Sequence, residues 1–472
     1  MIAKLLAITV QHALAIVGVC CLLYSELALC QDDSPTELIN RHEALQQTVR
    51  EQDATLRRHD PVMAENLISL ADTAAALNLH GEASSALERA IQIRRLNQGL
   101  FTDEQIPLYF SMLDSLLHIG NWDSINTTLD HVNWLLTDKM VSDQGQLVEQ
   151  LIRLSEFHLL GVAGDAQEQQ ARHYRRASES LYLALNISEF VWGRHDPRRI
   201  DLHYSLAKHF YLQSAAIERS DETAYALRAV VPGSTWVRPR KVVQERHYRA
   251  GLNLLEKMRE LLLETDNTDS EAVAMVDLYI ADWHLLFNQK RAGESYRQAF
   301  NALLDAGREA DKLNRLFASP QILPIATFHD SVPMALSATA GAAPNDTDSV
   351  RHAEFDTHLI FQEWFASMPE VSFPIIAPTM GKRIFVDHYD TWLRFRLNSL
   401  FEVSRWVNGT YESHIGVIDE FEIVGADADT AVDLDYLNDR LHAVHFRPRL
   451  KNGVVLSSEG VLRFRATKLI AN

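Results

Sequence analysis

The chain has 472 residues, of which 47% are hydrophobic and 23% charged, and its formal net charge is −18. This length exceeds one ordinary hydrophobic core, so two or three folded units are expected. Because phosphate binding needs a basic surface, the acidic balance argues against a nucleic-acid partner, and it also disfavours docking on an anionic membrane leaflet.

The N-terminus is predicted to be a targeting segment. Lys4 supplies a positive charge, residues 13–24 form a continuous apolar run, and polar residues begin at Gln31. We therefore predict that residues 1–30 are a signal peptide or membrane anchor. Export by a bacterial-type secretory route would place the protein in the periplasm, or on a membrane facing it.

Three fates of this segment stay open. Cleavage after Cys30 would place the small residue Ala28 at the −3 position, whereas residues 27–30 (LALC) resemble a lipoprotein box in which Cys30 is lipidated. Retention as an anchor is the third alternative, because residues 5–24 approach the length of a membrane span. The cysteines are Cys20, Cys21 and Cys30, so the chain beyond them has neither a disulfide nor a catalytic thiol.

A tetrapeptide recurs in the region from residue 31 to 315. Arg58-His59-Asp60-Pro61 and Arg194-His195-Asp196-Pro197 lie 136 residues apart, about four times 34, and each is followed at the same offset by Ser-Leu-Ala. Asp-Pro predicts a helix start, with Asp as the cap and Pro in the first turn. Apolar residues at helical spacing predict an array of helices throughout this region.

The array resembles the tetratricopeptide repeat, a helix-turn-helix unit of about 34 residues. Residues 282–303 carry the likeness best, since Ala292, Tyr296 and Ala299 give the small–aromatic–small pattern of the second helix. Gly81 and Gly120 occupy the predicted turns between helices, at a spacing that resembles the longer kinesin-light-chain-like variant. The resemblance implies an α-solenoid of roughly five to seven helix pairs whose concave face holds a partner protein.

Proline-rich residues 316–390 are predicted to form a linker. Prolines at this density exclude long helices, so one short helix is expected at Phe355–Ser367 and a flexible point at Asn345–Ser349. An ordered strap along the array is the alternative, because aromatic residues such as Phe328 and Trp364 are too apolar for a free tether.

Residues 391–472 are predicted to form a small α+β module. Leu393, Phe395 and Leu397 alternate with polar residues, and Asn408-Gly409 predicts a hairpin turn. A short helix is expected at 433–444 and a closing strand at 461–469.

This module resembles the C-terminal domain of TonB-like energy transducers. Asp433-Leu434-Asp435, then His445-Phe446-Arg447-Pro448 and Asn452-Gly453, carry the likeness. The resemblance implies a small sheet whose edge takes up a partner's strand. The predicted fold is therefore mainly α: an α-solenoid of tetratricopeptide-like helix pairs, followed by a small α+β module.

No constellation for chemistry emerges from the sequence. His442 and His445 are spaced i, i+3 and His388 sits between Asp387 and Asp390, but spacing fixes no further ligand, so no metal is predicted. Phosphate-loop and nucleophile motifs are absent, and catalytic, cofactor-binding and metal residues are all predicted as none.

Two residue sets have alternative interpretations. The pairs Arg394/Arg396 and Arg463/Arg465 suit either a solvated strand face or an acidic peptide. Helix aromatics are either core or groove residues, namely Tyr109, Tyr204 and Trp283.

The predicted function is that of an exported scaffold or adaptor of the bacterial cell envelope. It would bind unidentified partner proteins through the helical array and the C-terminal sheet, without enzymatic activity and without a cofactor. The alternative is a TonB-like energy transducer or transport accessory anchored by residues 5–24.

Overall fold

The computed structural model describes residues 35–55, 59–138, 143–218, 222–264, 269–318, 320–340, 358–362, 385–397, 404–407, 410–413, 418–426, 445–456 and 458–470. The predicted leader, the flexible point at Asn345–Ser349 and the helix predicted at 433–444 lie outside these ranges. The chain divides into two compact units, with the boundary between Leu116 and Leu117. The boundaries predicted at residues 315 and 390 stay predictions.

The described part of the protein is mainly helical, with a few small strands, which confirms the predicted mainly-α class. The first unit contains α1 (Pro35–Thr55), α2 (Pro61–Ala76), α3 (His80–Gln98) and most of α4 (Ile106–Ile119). Here α2 packs between α1 and α3. The helices of the second unit are α5 (Trp122–Asp138), α6 (Gln144–Gly164), α7 (Gln167–Trp192), α8 (Arg198–Glu218), α9 (Glu222–Arg228), α10 (Arg240–Leu263), α11 (Ser270–Leu286), α12 (Ala292–Asp305), α13 (Ala310–Leu316) and α14 (Val332–Ala340).

The repeated Asp-Pro dipeptides start helices, as predicted. The Asp60 carboxylate accepts a hydrogen bond from the Val62 amide at 3.0 Å, and Asp196 accepts one from the Arg198 amide at 2.9 Å. Each bond satisfies an amide that the first helical turn leaves without a backbone partner. The motif therefore marks helix starts in both units.

The turn between α2 and α3 differs from the prediction at Gly81. Gly81 lies in the first turn of α3, and the left-handed residue is Asn78, with φ of 59°. Asn tolerates this conformation because its short polar side chain fits a positive φ. Gly120, with φ of 66°, does occupy the turn between α4 and α5 as predicted.

The predicted second-helix pattern at residues 292–299 is a packing pattern. Ala292, Tyr296 and Ala299 are fully buried on α12, where the two small residues let neighbouring helices approach. The surrounding core joins α8, α10, α11 and α12 to residues 313–335 and Leu450.

Residues 320–340, predicted as a linker or strap, pack on the helices of the second unit. Tyr204 donates to the Ile325 carbonyl at 2.6 Å and Tyr279 to the Thr327 carbonyl at 3.0 Å, while Phe328 and Val332 are buried. Strand β1 (Gln321–Leu323) and helix α14 lie in this segment. The strap interpretation therefore describes residues 320–340.

Residues 445–456 pack against the segment that contains β1 and against the end of α13. Strand β7 (His445–Arg447) pairs antiparallel with β1, and the Leu450 amide donates to the Phe317 carbonyl at 3.1 Å. Strands β8 (Arg449–Lys451) and β9 (Val454–Leu456) form a hairpin whose turn holds Asn452 and Gly453 at positive φ. The segment that resembles the TonB-like turn thus lies beside α12 and α13.

A buried ion pair joins β7 to α11. Arg447 donates through Nε to Asp282 Oδ1 at 2.9 Å, and its Nη2 donates to Oδ2 of the same carboxylate. Tyr296 donates to Asp282 at 2.8 Å, and Arg447 Nη1 donates to Gln321 Oε1 at 2.6 Å. Burial alone would lower the pKa of the Arg447 guanidinium. The charge of the Asp282 carboxylate and its hydrogen bonds have the larger, opposite effect, so the pKa is raised. We name this set the Asp282–Arg447 clamp.

The remaining strands form a second sheet and a hairpin. Strands β2 (His358–Gln362), β10 (Ser458–Ile470), β3 (Phe385–Leu397) and β6 (Ile418–Ala426) lie in that order. Strands β4 (Ser404–Val407) and β5 (Thr410–Ser413) pair on either side of Asn408-Gly409, so the predicted hairpin is confirmed. The helix predicted over Phe355–Ser367 is wrong at 358–362, since β2 pairs there with β10 and sheet pairing overrides local propensity.

Candidate binding surface

The helix aromatics with two interpretations belong to the core. Tyr109, Tyr204 and Trp283 are all buried, and Trp283 Nε1 donates to the Tyr248 carbonyl at 2.9 Å. Packing in the core is therefore sufficient to explain why aromatic residues occupy these positions.

Two of the three candidate histidines, His388 and His445, lie on different strands. His445 is buried on β7, where its Nδ1 lies 3.2 Å from the Tyr211 hydroxyl, and His388 lies on β3 in register with Thr467. His442 falls outside the described residues. Within the described ranges, no three His, Cys, Asp or Glu residues converge on a point that could hold a metal ion.

Three of the four arginines of these pairs are in register with acidic residues, whereas Arg463 is in register with Trp392 and Ile360. In the β3–β6 register, Arg394 is opposite Glu422 and Arg396 is opposite Glu420. In the β10–β3 register, Arg465 is opposite Asp390. Opposite charges in register commonly stabilise a sheet, and both interpretations of these arginines stay predictions.

A groove lies at the open end of the hairpin formed by α6 and α7. These helices are joined by two residues, so the first turn of α6 lies beside the last turns of α7. Asp143 caps α6 by accepting from the Gly145 and Gln146 amides at 2.8 and 3.2 Å. The groove is lined by Asp143, Gln144, Gly145, Ile187, Phe190 and Val191.

Phe190 is the dominant feature of this groove. Its side chain is 91% exposed, whereas Ser188, two residues earlier on the same helix, is fully buried. Burying a phenylalanine is worth about 1.5–3 kcal/mol, so the exposed ring is an unused source of binding energy. Ile187 and Val191 extend the apolar surface along the same side of α7. We name this surface the Phe190 groove.

A buried polar cluster holds the other end of the α6–α7 hairpin. His173 Nε2 lies 3.0 Å from Asp165 Oδ2, and its Nδ1 lies 3.0 Å from His158 Nδ1. Asn126 donates to the same carboxylate at 2.8 Å, and Gly161 leaves room for the His173 ring. An ionised carboxylate only accepts, so His173 donates to Asp165 and accepts from His158. Both rings are buried, which makes this cluster a helix-to-helix connection.

The buried histidines predict a loss of stability on acidification. Burial lowers the pKa of His158 and His173, and it lowers that of His247 to about 4 and that of His209 to about 3, from an ordinary 6.5. The unfolded chain therefore binds protons more readily, and the stabilisation present above pH 6.5 falls as pH drops toward the folded values. For His247 and His209, whose folded pKa values lie well below 5.5, the cost at pH 5.5 is roughly 1 kcal/mol each.

The measurement is urea unfolding of the full chain at pH 7.5 and pH 5.5. His209→Gln should reduce the difference between the two free energies. His195→Gln, which changes an exposed ring, is the control and should leave the difference intact. Equal unfolding free energies at both pH values in the unsubstituted protein would contradict the prediction.

Sequence reasoning did not identify the Phe190 groove, although a signal was present. Phe190, Val191 and Trp192 are consecutive apolar residues directly before Gly193. Successive helical residues are about 100° apart, so three in a row cannot all face one core. At least one of them had to be exposed or covered by another segment.

No family model matches the sequence, and no curated protein matches it. Among solved structures, the crystal structure of BtubC (BKLC) from P. vanneervenii is similar over 66% of this chain and 94% of that chain, with 12% identity and a TM-score of 0.35. Among the described helices, none combines the length and apolar character needed to cross a bilayer.

Proposed function

We propose that this protein is a protein-interaction scaffold of the bacterial cell envelope, and that the Phe190 groove is a site at which a partner binds. The observation that carries the proposal is the 91% exposed Phe190 ring in a groove between two packed helices. Exposed aromatic residues that can be fully covered are typical anchors of protein interfaces.

A tetratricopeptide-like solenoid is the architecture we propose for the helical part. Within the second unit, contacts run from α6 to α7, α7 to α8, α8 to α10 and α10 to α11, so each helix packs mainly on its neighbours in the chain. Such nearest-neighbour packing is typical of repeat arrays, which commonly serve as binding surfaces. The small residues at positions 292 and 299 support the same interpretation.

The partner that the Phe190 groove fits is a protein segment with an apolar anchor next to a basic residue. Ile187, Phe190 and Val191 provide the apolar contacts, and the Asp143 carboxylate lies at the edge of the same groove. Opposite charge at a rim improves selectivity and the association rate more than affinity. The apolar contacts together with the Asp143 carboxylate would let the groove select protein segments that carry both an apolar anchor and a basic residue.

The sheet of the C-terminal module provides a second proposed contact. Among the described strands, β2 and β6 are the outer members of the order β2-β10-β3-β6. An outer strand has unpaired backbone groups that can accept a strand from a partner. This use keeps the TonB-like fold without its energy-transducing activity.

The groove is tested by selecting peptides from a random library on the full chain. Selected peptides should carry an apolar anchor flanked by Lys or Arg, and Phe190→Asp should weaken their binding by about 30-fold or more. Tyr182→Ser is the matched control, because Tyr182 is an exposed aromatic residue of α7 outside the groove. Peptides that bind equally to the Phe190→Asp variant would show that the groove is not the site.

The cellular address is tested separately by sequencing the N-terminus of the mature protein. A free end at Gln31 supports cleavage and rules out the transducer alternative anchored by residues 5–24. An intact Met1 in a membrane fraction would support that alternative instead.

A further inference from the structure

A short hairpin between α9 and α10 presents an exposed tryptophan. Ala229 and Val237 form an isolated antiparallel bridge, and the Val230 amide donates to the Trp236 carbonyl at 2.9 Å. The Ser234 hydroxyl accepts from the Trp236 amide at 3.0 Å. We name residues 229–237 the Trp hairpin. These hydrogen bonds close the hairpin.

The apolar side chains of the Trp hairpin point outward. Trp236 is 79% exposed and Val231 57% exposed, and Val230 is half exposed beside them. Tyr225 donates to the Thr235 carbonyl at 3.1 Å, which ties the hairpin to α9. The chain thus holds a large indole away from its own core, at a cost that packing elsewhere must offset.

The surroundings of the Trp hairpin are basic in an acidic protein. Residues 222–250 carry six basic and two acidic side chains, whereas the whole chain has a net charge of −18. Lys241 and Arg246 are exposed on α10 and line a shallow groove with Val242. Glu245 is paired with Arg249. The Debye length is about 8 Å at physiological ionic strength, so this local charge governs what approaches the hairpin.

We propose that the Trp hairpin and the basic side chains after it dock on an anionic phospholipid surface. The indole and the two valines enter the interface between headgroups and acyl chains, where tryptophan is enriched. Arg238, Lys241 and Arg246 contact lipid phosphates, which attract basic residues near a bilayer surface. This surface does not include the Phe190 groove, and the proposal does not rest on the proposed function.

The shape of the Trp hairpin favours a bilayer over an acidic peptide. Peptide recognition uses a groove or a pocket that covers the anchor side chain. Trp236 is instead exposed on a hairpin that also contains Pro232-Gly233. An indole in this position can insert into a bilayer, but it does not form a pocket around a peptide side chain. An acidic peptide is the alternative that the experiment separates.

The test is hydrogen exchange of the full chain with vesicles of phosphatidylcholine, alone or mixed with phosphatidylglycerol. We expect the amides of residues 229–241 to gain protection with the mixed vesicles only. In sedimentation with the same vesicles, Trp236→Ser should lower the partition coefficient by about tenfold, and Trp236→Phe should largely retain it. Arg238→Glu with Lys241→Glu should cause a loss of about tenfold or more.

The controls separate the hairpin from the rest of the chain. Every variant carries the same N-terminal segment, so a difference between variants reports the hairpin. Tyr182→Ser, at an exposed aromatic residue of α7, should change nothing. Equal protection by neutral vesicles, no protection at all, or an equal loss in Tyr182→Ser would overturn the proposal. Protection by polyglutamate but not by vesicles would overturn it in favour of an acidic peptide.

Discussion

Replacing Asp282 by Asn should lower the free energy of unfolding by about 3–5 kcal/mol. The substitution keeps the shape of the side chain but leaves the buried Arg447 guanidinium without its counter-charge. Its effect should be largest where β7 meets β1. Urea unfolding of the full chain measures the total loss, and hydrogen exchange should show residues 445–456 opening first.

Two further variants make the clamp prediction specific. Replacing both partners, as Asp282→Leu with Arg447→Met, removes both charges and should recover a large part of the loss. Glu179→Gln breaks the exposed pair with Arg176 and should cost less than about 1 kcal/mol. If Asp282→Asn costs no more than Glu179→Gln, the clamp does not hold the C-terminal segment in place.

Replacing Gly251 by Ala should lower the free energy of unfolding by about 1–3 kcal/mol, although alanine is the better helix former. A Cβ at position 251 would overlap with the Trp283 ring, because α10 and α11 pack closely at that point. The ring cannot easily move away, since Trp283 Nε1 is hydrogen-bonded to the Tyr248 carbonyl. Thermal unfolding of the full chain would measure the loss.

Gly81→Ala is the matched control for this prediction. Gly81 lies in the first turn of α3, and a Cβ there would meet no atom within 4 Å. Because alanine restricts the unfolded chain and favours a helix, this variant should be neutral or more stable by up to about 1 kcal/mol. Effects of the same sign and size in both variants would contradict the packing explanation.

The sequence predicted the features that depend on neighbouring residues. Asp60 and Asp196 cap helices because a cap needs only amides two or three residues ahead. The pairing of β4 with β5 was predictable because Asn-Gly between two apolar runs favours a hairpin. The buried positions of α12 follow from the spacing of small and aromatic residues along one helix.

Features that depend on distant parts of the chain could not be predicted in this way. Asp282 and Arg447 are 165 residues apart, and no motif around either residue indicates that the two side chains pair. The pairing of β1 with β7 likewise joins a predicted linker to a predicted module. The exposure of Phe190 and Trp236 is a property of the folded surface, which periodicity alone does not determine.

Site-specific photo-crosslinking from position 190 in cells tests the scaffold proposal most directly. A photoreactive phenylalanine at position 190 should crosslink to a discrete partner, and the crosslinked segment should carry an apolar anchor beside a basic residue. The same probe at position 182, exposed on α7 but outside the Phe190 groove, should give no such product. No crosslink at 190, or the same products from both positions, would contradict the account.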